Sequence, residues 1–265
     1  MQLRITHTTT FDYDGRAQAS YHQARLTPVT TPEQIVVYNR LEISPKPWTY
    51  EYRDYFGSLV TAFEIAEPHE SLTVAAISTV QTNRPATAAP RQTWAEFAER
   101  EVADRWTEFL VLPETVAPDA AFADAVRSIA DNAALPGEAA RAICAAVHAE
   151  LAAEAPDPIP VSRVVHRAIG GLRSVGIPAR YVSGYFHPDA EPAVGAGVAA
   201  HAHAWLQWWD DGWHPFDPTN DSEPGDRYVS VAVGRDYLDV KPVSGIHAGA
   251  GIESLGVEVE IVRLA

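Results

Sequence analysis

The stretch VSRVVHRAIGGLRSVGIPARYVSGYF, residues 161–186, changes its hydrophobic period halfway along. Val165, Ala168, Ile169, Leu172 and Val175 recur at three- and four-residue spacing, the stripe of a helix that buries one face. Gly176 and Pro178 then stop it, and ARYVSGYF, rich in β-branched and aromatic residues, continues as a strand. The run APDPIP, residues 155–160, breaks continuity with any earlier helix, and Ser162 is the residue placed to cap the new one. Gly170 and Gly171 each cost about 1 kcal/mol relative to Ala in a helix interior. Such a pair predicts a close approach to another element, and the sheet that follows is the expected neighbour.

Downstream, AHAHAWLQWWDDGWHPFDPTND reads as two strands around an Asp-Asp-Gly turn. RYVSVAVGRDYLDVKPVSG and SLGVEVEIVRLA supply further strands. Upstream, TWAEFAEREVADRWTEFLV, PDAAFADAVRSIADNA and PGEAARAICAAVHAELAAEA are helical in period, and Thr93 with Glu96 forms a capping box. Residues 1–82 alternate with period two between Gly, Pro and Asp turns, and residues 83–93 read as a linker. The expectation is an α+β protein: residues 1–85 a β-rich, sandwich-like domain, residues 86–265 helices packed on an antiparallel sheet.

A chain of 265 residues buries about 70–75% of its unfolded surface, so it needs no staples. Asp and Glu number 35 against 20 Lys and Arg, a formal net charge of −15, and no basic cluster offers a face to nucleic acid. The start, MQLRITHTTTFDYDG, has no signal-peptide apolar core, and no run of about 18 apolar residues exists. A soluble cytoplasmic protein without a membrane partner is expected. Cys144 is the sole cysteine, which excludes an internal disulfide and a cysteine cage for metal. It sits mid-helix without a base nearby, as a small buried apolar side chain would.

On the first strand of the hairpin His201, His203, Trp205, Gln207 and Trp209 share one face; on the second Trp213, Pro215 and Asp217 do. That register sets Asp217 beside His203, the imidazole and orienting carboxylate of acyl-transfer enzymes. Trp205, Trp208, Trp209 and Trp213 could stack on a sugar or a peptide, but most of them are expected to fill the core between helix and sheet.

These residues resemble a family. LRSVGIPARYVSGYF, then HAHAW, then GWHPFDPTND are similar to the core of bacterial transglutaminase-like proteins, members of the papain-like Cys-His-Asp superfamily. LRITHTTTFDY through DYFGSLVTAFEIAEPHESLTV resembles their N-terminal domain, and YVSVAVGRDYLDVKPVSGI their C-terminal end, so the likeness spans nearly the whole chain. It implies a transglutaminase-like core with His203 as the family's histidine and Asp217 as its aspartate. The family's nucleophile heads the helix in a motif Gly-Val-Cys-Gln-Asp-Phe-Ala-His. Counted back from Pro178, His166 matches the motif's histidine, Ser162 and Arg163 replace Gln and Asp, and Val161 takes the cysteine position. The loop before it is also shorter than the family's.

An isopropyl group has no lone pair to attack a carbonyl. The first reading is therefore a pseudoenzyme that binds a peptide or protein, with no cofactor. The resemblance points to an ATP-grasp-type enzyme as partner, and PAVGAGVA and GIHAGAG would be interaction loops. A second reading makes Ser162 the nucleophile of an amide hydrolase or acyl transferase with His203 and Asp217. A third gathers His201, His203, Asp217 and His166 into a metal site.

Overall fold

The computed structural model describes residues 1–85, 89–154, 160–249 and 251–265. Residues 86–88 of the expected linker, 155–159 of the Pro-rich turn and 250 of the glycine tract lie outside them. Five strands open the chain: β1 (Gln2–Ala24), β2 (Gln34–Ser44), β3 (Trp48–Arg53), β4 (Leu59–Ile65) and β5 (His69–Thr82). Helices α1 (Trp94–Phe97), α2 (Arg100–Arg105), α3 (Ala120–Asn132), α4 (Pro136–Glu154) and α5 (Val161–Ser174) follow. Then come β6 (Ala179–Phe186), β7 (Gly197–Ala200), β8 (Ala202–Trp209), β9 (Trp213–Phe216), β10 (Tyr228–Gly234), α6 (Tyr237–Val240), β11 (Val243–Gly249) and β12 (Ile252–Arg263). The fold class is α+β, as expected. No helix among the described residues is long and apolar enough to cross a membrane.

β1 is the spine of an eight-stranded sheet ordered β2-β5-β1-β12-β7, with β4 and β11 on its second half and β3 on β4. Leu3, Ile5, His7, Thr9, Phe11 and Tyr13 are buried, then Ser20, His22 and Ala24. Ala17 is still inward, and the set changes from odd to even numbers beyond it because the register slips between Ala17 and Ala19. Side chains alternate with period two, so one extra residue exchanges the faces. The boundary near residue 85 is one of chain order only, since β7, β11 and β12 cross it to complete this sheet.

The second sheet has four strands, ordered β10-β6-β8-β9. Ala204, Leu206 and Trp208 of β8 and Ala179 and Tyr181 of β6 share one apolar core with Val126, Ile143, Val147, Val165, Ile169 and Leu172 of α3, α4 and α5. Elsewhere Tyr185, Val229 and Val231 of this sheet meet Leu3, Ile5, Val80, Val259 and Ile261 of the large one. The helix stripe is as expected, but the two glycines answer to different neighbours. A Cβ on Gly170 would run into the Val116 carbonyl, and one on Gly171 would press Ile143, Phe122 and Val126. The close approach is to the preceding segment and helices, not to the sheet.

Candidate functional site

The hairpin forms as read, Trp209 pairing with Trp213 and Leu206 with Phe216 across a turn in which Asp211 takes φ 53°. β9 ends at Phe216, and Asp217 follows in a single bridge to Ser222. This places the fully buried Asp217 carboxylate beside His203, whose Nε2–H donates to Oδ2 at 2.6 Å. An ionised carboxylate only accepts, so Nε2 carries a proton. Nδ1 has no hydrogen-bond partner among the described residues, and the side chain is 11% exposed.

Among the described residues the Asp217 carboxylate accepts five hydrogen bonds. Besides His203, the Asn220 Nδ2 (2.7 Å) and the Tyr228 hydroxyl (2.9 Å) donate to Oδ2, and the backbone N–H groups of Thr219 (2.9 Å) and Asn220 (3.3 Å) to Oδ1. Burial alone would raise this carboxyl. The hydrogen bond and charge of His203, with the Asn220 and Tyr228 bonds, outweigh it and hold the pKa below its ordinary value. The Tyr228 phenol moves the other way, pushed up to about 12 by burial and by the Asp217 charge. Phe186, Tyr228 and Trp205 wall the imidazole, with ring centroids 5.4, 6.0 and 6.4 Å away.

Sequence reasoning missed the residues that hold Asp217. Asn220 lies in DPTND and its role as a turn-former was open to reading. Tyr228 carried no local signal, since only the pairing of β10 with β6 brings it in. His148 of α4 also showed no motif, yet its Nδ1–H donates to the carbonyls of Pro218 (3.2 Å) and Thr219 (3.1 Å) and ties down the same loop.

The other candidates are elsewhere. Val161 is the first residue of α5 and packs, partly buried, against the apolar core. Ser162 does not cap the helix: Pro160 is the N-cap, and its carbonyl accepts from the N–H of Arg163 at 2.9 Å. Ser162 instead lines a cavity of about 500 Å³ with Val116, Glu150, Arg163, His166 and Arg167, a wall that contains neither His203 nor Asp217. His166 accepts the Tyr237 N–H on Nε2 at 3.0 Å. His201 is exposed and precedes β8, which starts at Ala202, so strand alternation does not extend to it. His201, His203, Asp217 and His166 therefore do not converge, and among the described residues no group of three or more His, Cys, Asp or Glu is set to hold a metal ion. Cys144 is fully buried in α4; burial first, and then the charges of Asp221 and Asp217, push its thiol pKa up, away from thiolate chemistry.

Of the tryptophans, Trp205 and Trp208 are buried in the core. Trp209 and Trp213 are partly buried and cluster with Trp106, at 4.5 and 4.9 Å between centroids.

A transglutaminase-like arrangement of α5, β6 and β8 with a His–Asp pair is what the fold and site define, and comparison with known proteins agrees. Residues 3–81 match the bacterial transglutaminase-like N-terminal region and residues 161–218 the transglutaminase-like superfamily. Uncharacterized protein ML0607 of Mycobacterium leprae is 40% identical, over 100% of this chain and 99% of its own. Uncharacterized protein Rv2569c of Mycobacterium tuberculosis is 30% identical, over 98% of this chain and 92% of its own. A candidate cysteine protease from Cytophaga hutchinsonii, known by crystal structure, shares the fold with a TM-score of 0.73 at 16% identity, over 98% of this chain and 90% of that one. The chain belongs to the bacterial transglutaminase-like family.

Proposed function

We propose that this protein is a pseudoenzyme of that family, one that keeps the fold and the His203–Asp217 pair to bind a peptide or protein partner. An ATP-grasp-type enzyme is the partner class carried over from the family. The observation that bears the reading is the fate of the thiol. The sole cysteine is sealed in α4 with its pKa raised, while the residue heading α5 is Val161. Acyl transfer through this fold needs a nucleophile that His203 can deprotonate, and among the described residues no hydroxyl or thiol is hydrogen-bonded to it. Ser162 makes no hydrogen bond to His203 among the described residues and lines a cavity whose wall does not include it, which argues against a serine replacement.

Active-site probes test this on the native protein. A fluorophosphonate should leave Ser162 unlabelled, and an alkylating agent should reach Cys144 only in denaturant. Native labelling of either residue that disappears in His203→Ala would overturn the proposal.

A further inference from the structure

Among the described residues β11 is bound to the sheet along one side only, by the second half of β1. At the middle of that ladder His22 faces Gly245, and a Cβ on Gly245 would run into the His22 ring and the Tyr21 carbonyl. The bare glycine lets β11 lie flat over the imidazole. Phe63 of β4 stacks on the other side at 5.3 Å, and Phe11 lies at 5.8 Å. His22 is 4% exposed, and both of its ring nitrogens are buried without a hydrogen-bond partner among the described residues.

The titratable groups around this imidazole are His247 of β11, His69 of β5 and Tyr13 of β1 itself. The Tyr13 ring lies 5.4 Å from His69 and 5.0 Å from His247, and burial raises its pKa, so it is neutral. From β4 the residue opposite His22 is Phe63. His69 is committed, with Nδ1–H donating to the Glu67 carbonyl at 2.8 Å and Nε2 accepting from Ser20 at 3.1 Å. An imidazolium at position 22 would meet the phenyl rings of Phe11 and Phe63 and the imidazoles of His69 and His247. Among the described residues neither ring nitrogen has an acceptor, and no carboxylate is a cause of its pKa shift.

We propose that β11 is an acid-released strap: protonation of His22 detaches Val243–Gly249 from β1 while the rest of the sheet stays paired. Opening is easiest on the β11 side, because β11 is paired with β1 whereas β4 is paired with both β1 and β3. Burial, and then the His247 and His69 charges, lower the pKa of the closed state to about 4 from 6.5. A depressed closed-state pKa favours closure above the ordinary value and loses that preference as the pH falls towards it. From about pH 7 to about pH 4.5 the open fraction rises roughly fiftyfold.

Hydrogen exchange on the full chain, corrected for intrinsic rates, tests the strap. Amides of β11 should lose roughly fiftyfold protection over that interval, ahead of those of β5, and His22→Phe should abolish the loss. Should His22→Phe fail to fold, NMR titration of the wild-type His22 ring decides: its midpoint should coincide with the loss in β11. Protection that persists to about pH 4.5, falls equally in His22→Phe, follows a different midpoint, or goes together with β5 would overturn it.

Discussion

Asp217 organises its surroundings more than any other side chain of the site. Three side-chain donors from β8, the following turn and β10 converge on one oxygen, and the two backbone donors fix the other. Removing the acceptor leaves buried donors unpaired. Asp217→Ala should therefore cost about 3–5 kcal/mol, read from urea denaturation, whereas Tyr228→Phe, which keeps the ring and drops one bond, should cost about 1–2 kcal/mol. His203 and Asp217 were legible in the sequence because strand alternation and a short turn are local rules. Tyr228 was not, being set by the pairing of strands that are distant in sequence. His201 shows the reverse failure: the alternation was extended one residue past the real start of β8.

At the scale of elements, helix propensity and packing make opposite demands at Gly170. Alanine there would gain about 1 kcal/mol of propensity. Its Cβ would overlap the backbone carbonyl of Val116, which cannot rotate away. Gly170→Ala should therefore lower stability by more than the propensity gain, visible as a fall in Tm, while Gly176→Ala is unfavourable through its φ of 82° alone. The Thr93 capping box is fully formed, both reciprocal bonds being present, so its reading from sequence was sound. Ser162 was misread as a cap because the sequence does not say which of the residues after Pro160 starts the helix. Pro160 itself takes the N-cap, with φ −55° and ψ 128°.

The whole molecule is bound together by strands that return. β12 lies against β1 from Leu3 to Tyr13, so residues 1–85 alone would expose one edge of their longest strand. That fragment should fail to give dispersed NMR signals, whereas the full chain should; a folded fragment would contradict the shared-sheet account. His7 joins the two sheets, with Nδ1 at 2.9 Å from the Tyr185 hydroxyl and Nε2 at 3.1 Å from Thr9. Burial lowers its pKa to about 4. Its contribution is complete above the unfolded value of about 6.5 and is lost as pH falls through the folded one, a loss of about 3 kcal/mol. Urea midpoints measured across that window should drop, and His7→Phe should flatten the drop. The family and fold class were legible because motifs in α5, β6, β8 and β9 are contiguous. The return of β7, β11 and β12 was not, because which sheet a late strand joins depends on contacts across the whole chain.

The proposed pseudoenzyme keeps the His203–Asp217 pair without a nucleophile hydrogen-bonded to His203 among the described residues. The most direct measurement compares wild-type protein with His203→Ala for amine incorporation, deamidation and peptide hydrolysis on glutamine-containing peptides. The account predicts the same background rate for both. Turnover by the wild type that His203→Ala abolishes would contradict it.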